Sequence, residues 1–156
     1  MANEIIEKVI KEEKMAIINH LGLIEDIDIL ISQLMGWAEA NKIKITGAPF
    51  AIYYSMPKNI KTDEIPYDIG VPINSNIEDT DKIKIVELLE HKVLSIVHKG
   101  SYDKLKNSYS QMIKYSLENN YDIIGSPKEI YLNNPHVVAE EELLTEIQFP
   151  VIKTSS

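Results

Sequence analysis

The chain is written twice. Sliding it by 78 positions lays Ile5–Ile73 over Ile83–Val151 without a gap, and 18 of the 69 aligned positions are identical. Composition alone would give about 7%. The matches keep one order and include His20/His98, Gly22/Gly100, Asn41/Asn119, Gly47/Gly125, Pro49/Pro127, Tyr53/Tyr131 and Pro72/Pro150. Turn formers and aromatic residues conserved in register mark a duplicated structural unit, so the two copies must fold alike. At 156 residues the pair amounts to one ordinary domain: repeats at 5–73 and 83–151, and a connector at 74–82 rich in Asn, Ser and Asp.

Each copy carries the same succession of patterns. Met15–His20 and Val93–His98 are apolar, β-branched runs that read as strands, and Gly22 and Gly100 mark the turns that follow. Ile27, Leu30, Leu34 and Ala38 then recur at helical spacing, as do Leu105, Tyr109, Met112 and Ser116, which predicts helices over Glu25–Asn41 and Tyr102–Asn119. Both end on asparagine, a residue tolerated in the left-handed conformation of a helix end. Short strands follow at Ile52–Tyr54 and Ile130–Leu132. The closing strands alternate, Ile65, Tyr67, Ile69, Val71 in one copy and Leu143, Thr145, Ile147, Phe149 in the other, which predicts one buried and one open face. The expected fold is α+β: tandem β-α-β-β modules with antiparallel sheets, paired pseudo-symmetrically about a groove, with an additional leading strand at Ile5–Ile10 and Ile83–Leu88.

Composition removes whole classes of chemistry. There is no cysteine, hence no disulfide, thiolate metal site or thiol nucleophile. His20 and His98 each stand alone at a strand end, without the acidic or histidine neighbours of a metal set, and no phosphate-binding or nucleotide-binding glycine pattern occurs. No cofactor or metal is therefore expected. Glu4–Glu13 mixes Glu with Lys and reads as a solvated edge, and Ala139–Glu142 as a turn before the last strand. The start lacks a basic and apolar leader, and no apolar run approaches the roughly 18 residues of a membrane span; a cytoplasmic protein without membrane contact is expected.

The segments His98-Lys99-Gly100-Ser101-Tyr102, Gly125-Ser126-Pro127-Lys128-Glu129-Ile130-Tyr131-Leu132 and Glu142-Leu143-Leu144-Thr145-Glu146-Ile147-Gln148-Phe149-Pro150-Val151 resemble the GyrI-like small-molecule-binding domain. That family also supplies the effector-binding domain of AraC-type and MerR-type multidrug regulators. The resemblance implies a duplicated module with a groove between its halves for hydrophobic, often cationic or planar compounds. It also implies two alternatives: a hydrolase of strained electrophilic molecules, and an interaction module that modulates DNA gyrase through a separate protein partner. The repeat takes up the chain, leaving no room for a helix-turn-helix region, so a stand-alone sensing or sequestering protein is expected rather than a complete regulator.

Glu129 is the strongest candidate for binding. In its strand Glu129 and Tyr131 share one face, and the first copy has Ala51 and Tyr53 at the matching places. One carboxylate among aromatic rings suits a lipophilic cation, through countercharge and cation–π attraction; in the hydrolase alternative the same group would activate water or donate a proton while Tyr131 holds the substrate. The expected ligand contacts are Glu129, Tyr131, Tyr53, Trp37 and Tyr109, with Tyr109 also in the apolar stripe of its helix and Trp37 bordering its own. Tyr67 reads as core, whereas Asp68 and Glu146, on the opposite face of the closing strands, are expected to meet water.

All 16 basic residues are lysine and the formal net charge is −8. Nucleic-acid affinity rests on cationic contacts to phosphate, so the isolated chain is expected to show no measurable affinity for duplex DNA at physiological salt. A gel shift that weakens with added salt would contradict this.

Overall fold

The computed structural model describes residues 4–154. Nine strands and two helices alternate along it: β1 (Ile6–Ile10), β2 (Glu13–Gly22), α1 (Ile27–Ala40), β3 (Phe50–Tyr53), β4 (Ile65–Pro72), β5 (Ile83–Leu88), β6 (His91–Lys99), α2 (Leu105–Glu118), β7 (Tyr121–Ile123), β8 (Lys128–Tyr131) and β9 (Leu144–Lys153). Single 3₁₀ turns at Ile24–Asp26 and Tyr102–Lys104 lead into the helices, so both helices begin about one turn later than their periodicity predicts.

The chain divides into two compact units, one spanning 12–89 and the other joining the residues up to 11 to those from 90 onward. Within the first, the strand order is β3-β4-β2-β5; within the second it is β8-β9-β6-β1, with β7 on β9 beyond β8, and every pairing is antiparallel. The orders are equivalent strand for strand under the 78-residue offset. Register follows suit, Ala51 facing Ile69 and Glu129 facing Ile147, Ile18 facing Ile69 and Ile96 facing Ile147. The fold is α+β and antiparallel, as the repeat requires.

The leading strands are exchanged. β1 belongs to the first repeat but pairs with β6 of the second, while β5 of the second pairs with β2 of the first. Two-residue links join β1 to β2 and β5 to β6, a length that ordinarily makes a hairpin. Here β2 already carries β4 and β5 on its two edges, so β1 has no edge of β2 to join.

Two further differences from the sequence reading have local causes. Asn41 and Asn119 are not left-handed: their φ values are −101° and −115°. Each instead donates its side-chain amide back to the carbonyl four residues earlier, Asn41 to Trp37 at 2.8 Å and Asn119 to Tyr115 at 3.0 Å, a second bond to a carbonyl that already accepts the same residue's backbone N–H. The left-handed residue comes one position later, at Lys42 (φ 54°) and Asn120 (φ 61°). The closing strands, for their part, bury both faces: Asp68 and Gly70 of β4 and Glu146 and Gln148 of β9 are as enclosed as the apolar residues between them. Gly70 makes room for the Phe50 ring of the neighbouring strand, while Ser95 and Gln148 hydrogen-bond to Glu146.

The other face of each sheet carries the helix and the apolar core. In the second unit Leu94, Ile96, Ile147, Phe149 and Val151 pack with Leu105 and Met112 of α2. Glycine–proline contacts secure the matching loops: a Cβ at Gly47 would stand 2.8 Å from Pro72 Cγ, and one at Gly125 the same distance from Pro150 Cγ. Those four residues account for two of the repeat's identities. Gly47→Ala and Gly125→Ala are expected to destabilise by about 1–3 kcal/mol through overpacking. Gly36→Ala, in a helix interior with nothing within 4 Å, should stabilise by about 0.5–1 kcal/mol. Thermal melts of the three variants check both signs.

Candidate functional site

Strand pairing decides which side chains meet. Glu129 faces Ile147 and Tyr131 faces Thr145 across the β8–β9 ladder, so all four project to the helix side of the sheet. Glu129 is buried, with 5% of its surface exposed. The Tyr109 hydroxyl, from α2, donates to Glu129 Oε2 at 2.5 Å, and the Tyr131 hydroxyl donates to Oε1 at 3.1 Å. Around them stand Tyr102, edge-on to the Tyr131 ring at 6.0 Å between centroids, and Phe149, edge-on to Tyr109 at 5.7 Å. The helical stripe thus places Tyr109 in the core by its ring and at the carboxylate by its oxygen.

Three of the five residues picked from the sequence, Glu129, Tyr131 and Tyr109, are therefore joined by hydrogen bonds within one unit. Tyr53 and Trp37 belong to the other unit. There Tyr53 is buried beside Tyr67, 6.0 Å between ring centroids, and Trp37 is half-buried on α1. Tyr67 is a core residue as expected. Its ring also meets His20 at 5.4 Å, and its hydroxyl donates to the Leu23 carbonyl at 2.7 Å; burial first, then the nearby Asp26 charge, pushes its pKa up to about 12. His20 Nε2 lies 3.0 Å from Asp26. His98 spans Ser108 Oγ at 3.0 Å and the Ser101 carbonyl at 3.1 Å. A carbonyl only accepts, so Nε2 carries the proton there.

Asp68 and Glu146 do not meet water as expected. Asp68 accepts from the Tyr54 hydroxyl at 2.5 Å and from Asn19 at 2.8 Å; burial, followed by that bond and charge, raises the Tyr54 pKa. Glu146 Oε2 collects Lys8 Nζ, Ser95 Oγ and Gln148 Nε2 at 2.7–2.8 Å. The sequence held a signal for both. An acid recurs at one repeat position, Asp68 and Glu146, although Tyr67/Thr145 and Gly70/Gln148 beside it differ, which a solvated position does not require. Lys8 and Ser95 also line a shallow depression of about 420 Å³ with Glu4, Ile6, Val97 and Lys99. It opens on the sheet face opposite Glu129, because Ser95 and Val97 face Gln148 and Glu146 in the β6–β9 register. Among the described residues no three His, Asp or Glu side chains gather as a metal set, and no helix is long and apolar enough to cross a membrane.

One family profile, the GyrI-like small molecule binding domain, matches residues 3–152. The chain belongs to that family. None of the curated proteins matches it in sequence. Among solved structures it is similar to the EcmrR C-terminal domain, at 22% identity over 99% of this chain and 100% of that one, with a TM-score of 0.87. It is similar also to EcmrR in its DNA complex, at 21% identity and a TM-score of 0.83, covering 97% of this chain and 58% of that one. A third likeness is to SAV2435 bound to tetraphenylphosphonium, at 12% identity and a TM-score of 0.60, covering 97% and 94%. At these identities the likeness shows a shared GyrI-like fold, one that in EcmrR forms part of a longer DNA-binding polypeptide.

Glu146 yields a pH prediction. Burial raises its carboxyl, but the bonds from Gln148, Lys8 and Ser95 and the Lys8 charge outweigh burial, and the net pKa is lowered. A carboxyl held lower in the folded than in the unfolded chain stabilises above its ordinary range, and that stabilisation is lost as pH falls through the folded value. Lys8 is more than a third exposed, so screening limits its share. Lys8→Met should cost about 1 kcal/mol at neutral pH and nothing once Glu146 is protonated; denaturant titrations at neutral pH and well below the glutamate range check the convergence.

Proposed function

We propose that the chain binds hydrophobic cations, planar ones included, at the Glu129 carboxylate, and acts as an effector-sensing or sequestering domain linked to transcription regulation. The observation that carries the reading is a carboxylate enclosed in an aromatic setting and hydrogen-bonded by two tyrosine hydroxyls. Charge in such a place is costly unless it is compensated. A ligand cation that takes over from a tyrosine hydroxyl brings a full countercharge into a low-dielectric site, where it counts for more than in water. The rings of Tyr131, Tyr109 and Tyr102 supply apolar area and cation–π faces. Tyr102, on the turn before α2, is exposed and Tyr109 half-buried, so part of the aromatic cover of the carboxylate lies at the surface.

Tyr53 and Trp37 are proposed as further ligand contacts. The family and the neighbour bound to tetraphenylphosphonium support a cationic ligand. The likeness to a DNA-bound regulator supports the regulatory link, which with net charge −8 and no arginine runs through another polypeptide segment or protein.

Glu129→Gln keeps the shape and removes the charge. Binding of tetraphenylphosphonium should weaken by about 1–3 kcal/mol, the scale of the Coulomb attraction between unit charges several ångströms apart at an intermediate effective dielectric, while a neutral ligand of like shape, tetraphenylmethane in a detergent-solubilised assay, is hardly affected. Isothermal titration of both ligands against both proteins decides it. Equal affinities in wild type and variant would overturn the reading; loss of turnover of an electrophilic substrate with binding retained would move the site to the hydrolase class.

A further inference from the structure

Beside Glu129 lies a defect that its own repeat explains. Among the described residues, Thr145 Oγ1 is the buried side-chain oxygen without a hydrogen-bond partner, in a residue with 0% of its surface exposed. Native proteins leave few such groups, and each calls for a cause. The equivalent of Thr145 in the first copy is Tyr67, whose ring occupies the space between Tyr53 and His20 and whose hydroxyl bonds to the Leu23 carbonyl. In the second copy the matching flanks are Tyr131 and His98, and the matching carbonyl, Ser101, is taken by His98 Nε2. The ring is gone, its acceptor has been reassigned, and the hydroxyl that remains has nothing to bond. The same copy that loses this ring gains the carboxylate, since Ala51 of the first repeat corresponds to Glu129. The gained acid and the lost ring thus fall at neighbouring places of the same copy.

On the reading that Glu129 binds cations, we propose that Thr145 Oγ1 is the second anchor of that site, which makes it selective for ammonium ligands bearing at least two N–H bonds over permanently quaternary cations. Thr145 stands directly opposite Tyr131, and Glu129 is its diagonal neighbour across the ladder, a separation of about 7–8 Å that a long side chain and a small group between them can span. One N–H⁺ bonds to Glu129 Oε1 in place of the Tyr131 hydroxyl, whose 3.1 Å bond is the longer of the two. A second N–H donates to the Thr145 oxygen. A trimethylammonium or phosphonium centre has no hydrogen to offer the hydroxyl and leaves it as it is in the free protein.

The test uses the full chain, with 1-naphthylmethylammonium and its N,N,N-trimethyl analogue as probes, binding followed by naphthalene fluorescence. The wild type should bind the primary ammonium about tenfold or more tighter than the trimethyl analogue. Thr145→Val, isosteric and still folded by its thermal melt, should reduce that preference severalfold by weakening the primary ammonium alone, leaving the part due to its N–H bond to Glu129; Thr145→Ser should retain it in full. Thr145→Tyr, which restores the ring of the first copy, should abolish binding of both. No preference in wild type, or a preference undiminished by Thr145→Val, overturns the proposal. Glu129→Gln separates this from failure of the parent reading, because affinities for both probes that are indifferent to Glu129→Gln would discard the cation site itself.

Discussion

The register of β9 is the constraint on which the site depends. That strand carries β6, β7 and β8 along its length, so one set of hydrogen bonds determines where Glu129, Tyr131, Thr145 and Glu146 stand. Side chains alternate with a period of two, and a slip of one residue would send Glu129 to the face of Lys8 and Ser95 and bring Glu146 under α2. The apolar set Ile147, Phe149 and Val151 against Leu105 and Met112 prevents that slip, since it would also expose the core. The proline near the end of the same strand, seated on Gly125, holds the preceding loop to the same alignment.

Much of this was legible in the order of residues because the chain is its own alignment. Comparing two copies separates positions a fold must keep from positions it can spare, and the strands, helices and turn glycines followed from that comparison. The pairing of Glu129 with tyrosine was readable too, from the period-two face it shares with Tyr131. What could not be read was partnership across long separations. The burial of Glu146 depends on Lys8, 138 residues away, and no local pattern announces that a lysine from the leading strand will lie beside it. The exchange of β1 and β5 escaped for the same reason: each strand has an apolar pattern that fits either unit, and only the saturated edges of β2 select the answer. The asparagine helix ends misled through chemistry rather than distance, because their amides bond backward to the last turn while the next residue takes the left-handed conformation.

The two copies have divided the work. The first keeps Ala51 and Tyr67, a small residue beside a packed ring whose hydroxyl is satisfied, which suits a structural half. The second holds Glu129 and Thr145 at the same places, trading close packing for an enclosed charge and an orphaned hydroxyl. Groups of that kind weaken a core by a few kcal/mol at most, a cost that sites of recognition commonly bear. Duplication makes such a trade tolerable, since the unaltered half preserves the pattern of strands while the other departs from it.

The crossing of the leading strands also records an ancestry. With the pairing seen here, a single copy of the repeat would lack a partner for its first strand and leave one edge of its second strand bare. Two identical chains could cure this by lending each other that strand, which is the arrangement of a domain-swapped homodimer. For such an ancestor, folding and association would have been one event, its integrity falling with dilution. Joining the copies end to end through residues 74–82 converts the encounter into an intramolecular one, fixed in effective concentration. Tethered copies need not be identical, and Glu129 stands in one of them where the other has Ala51.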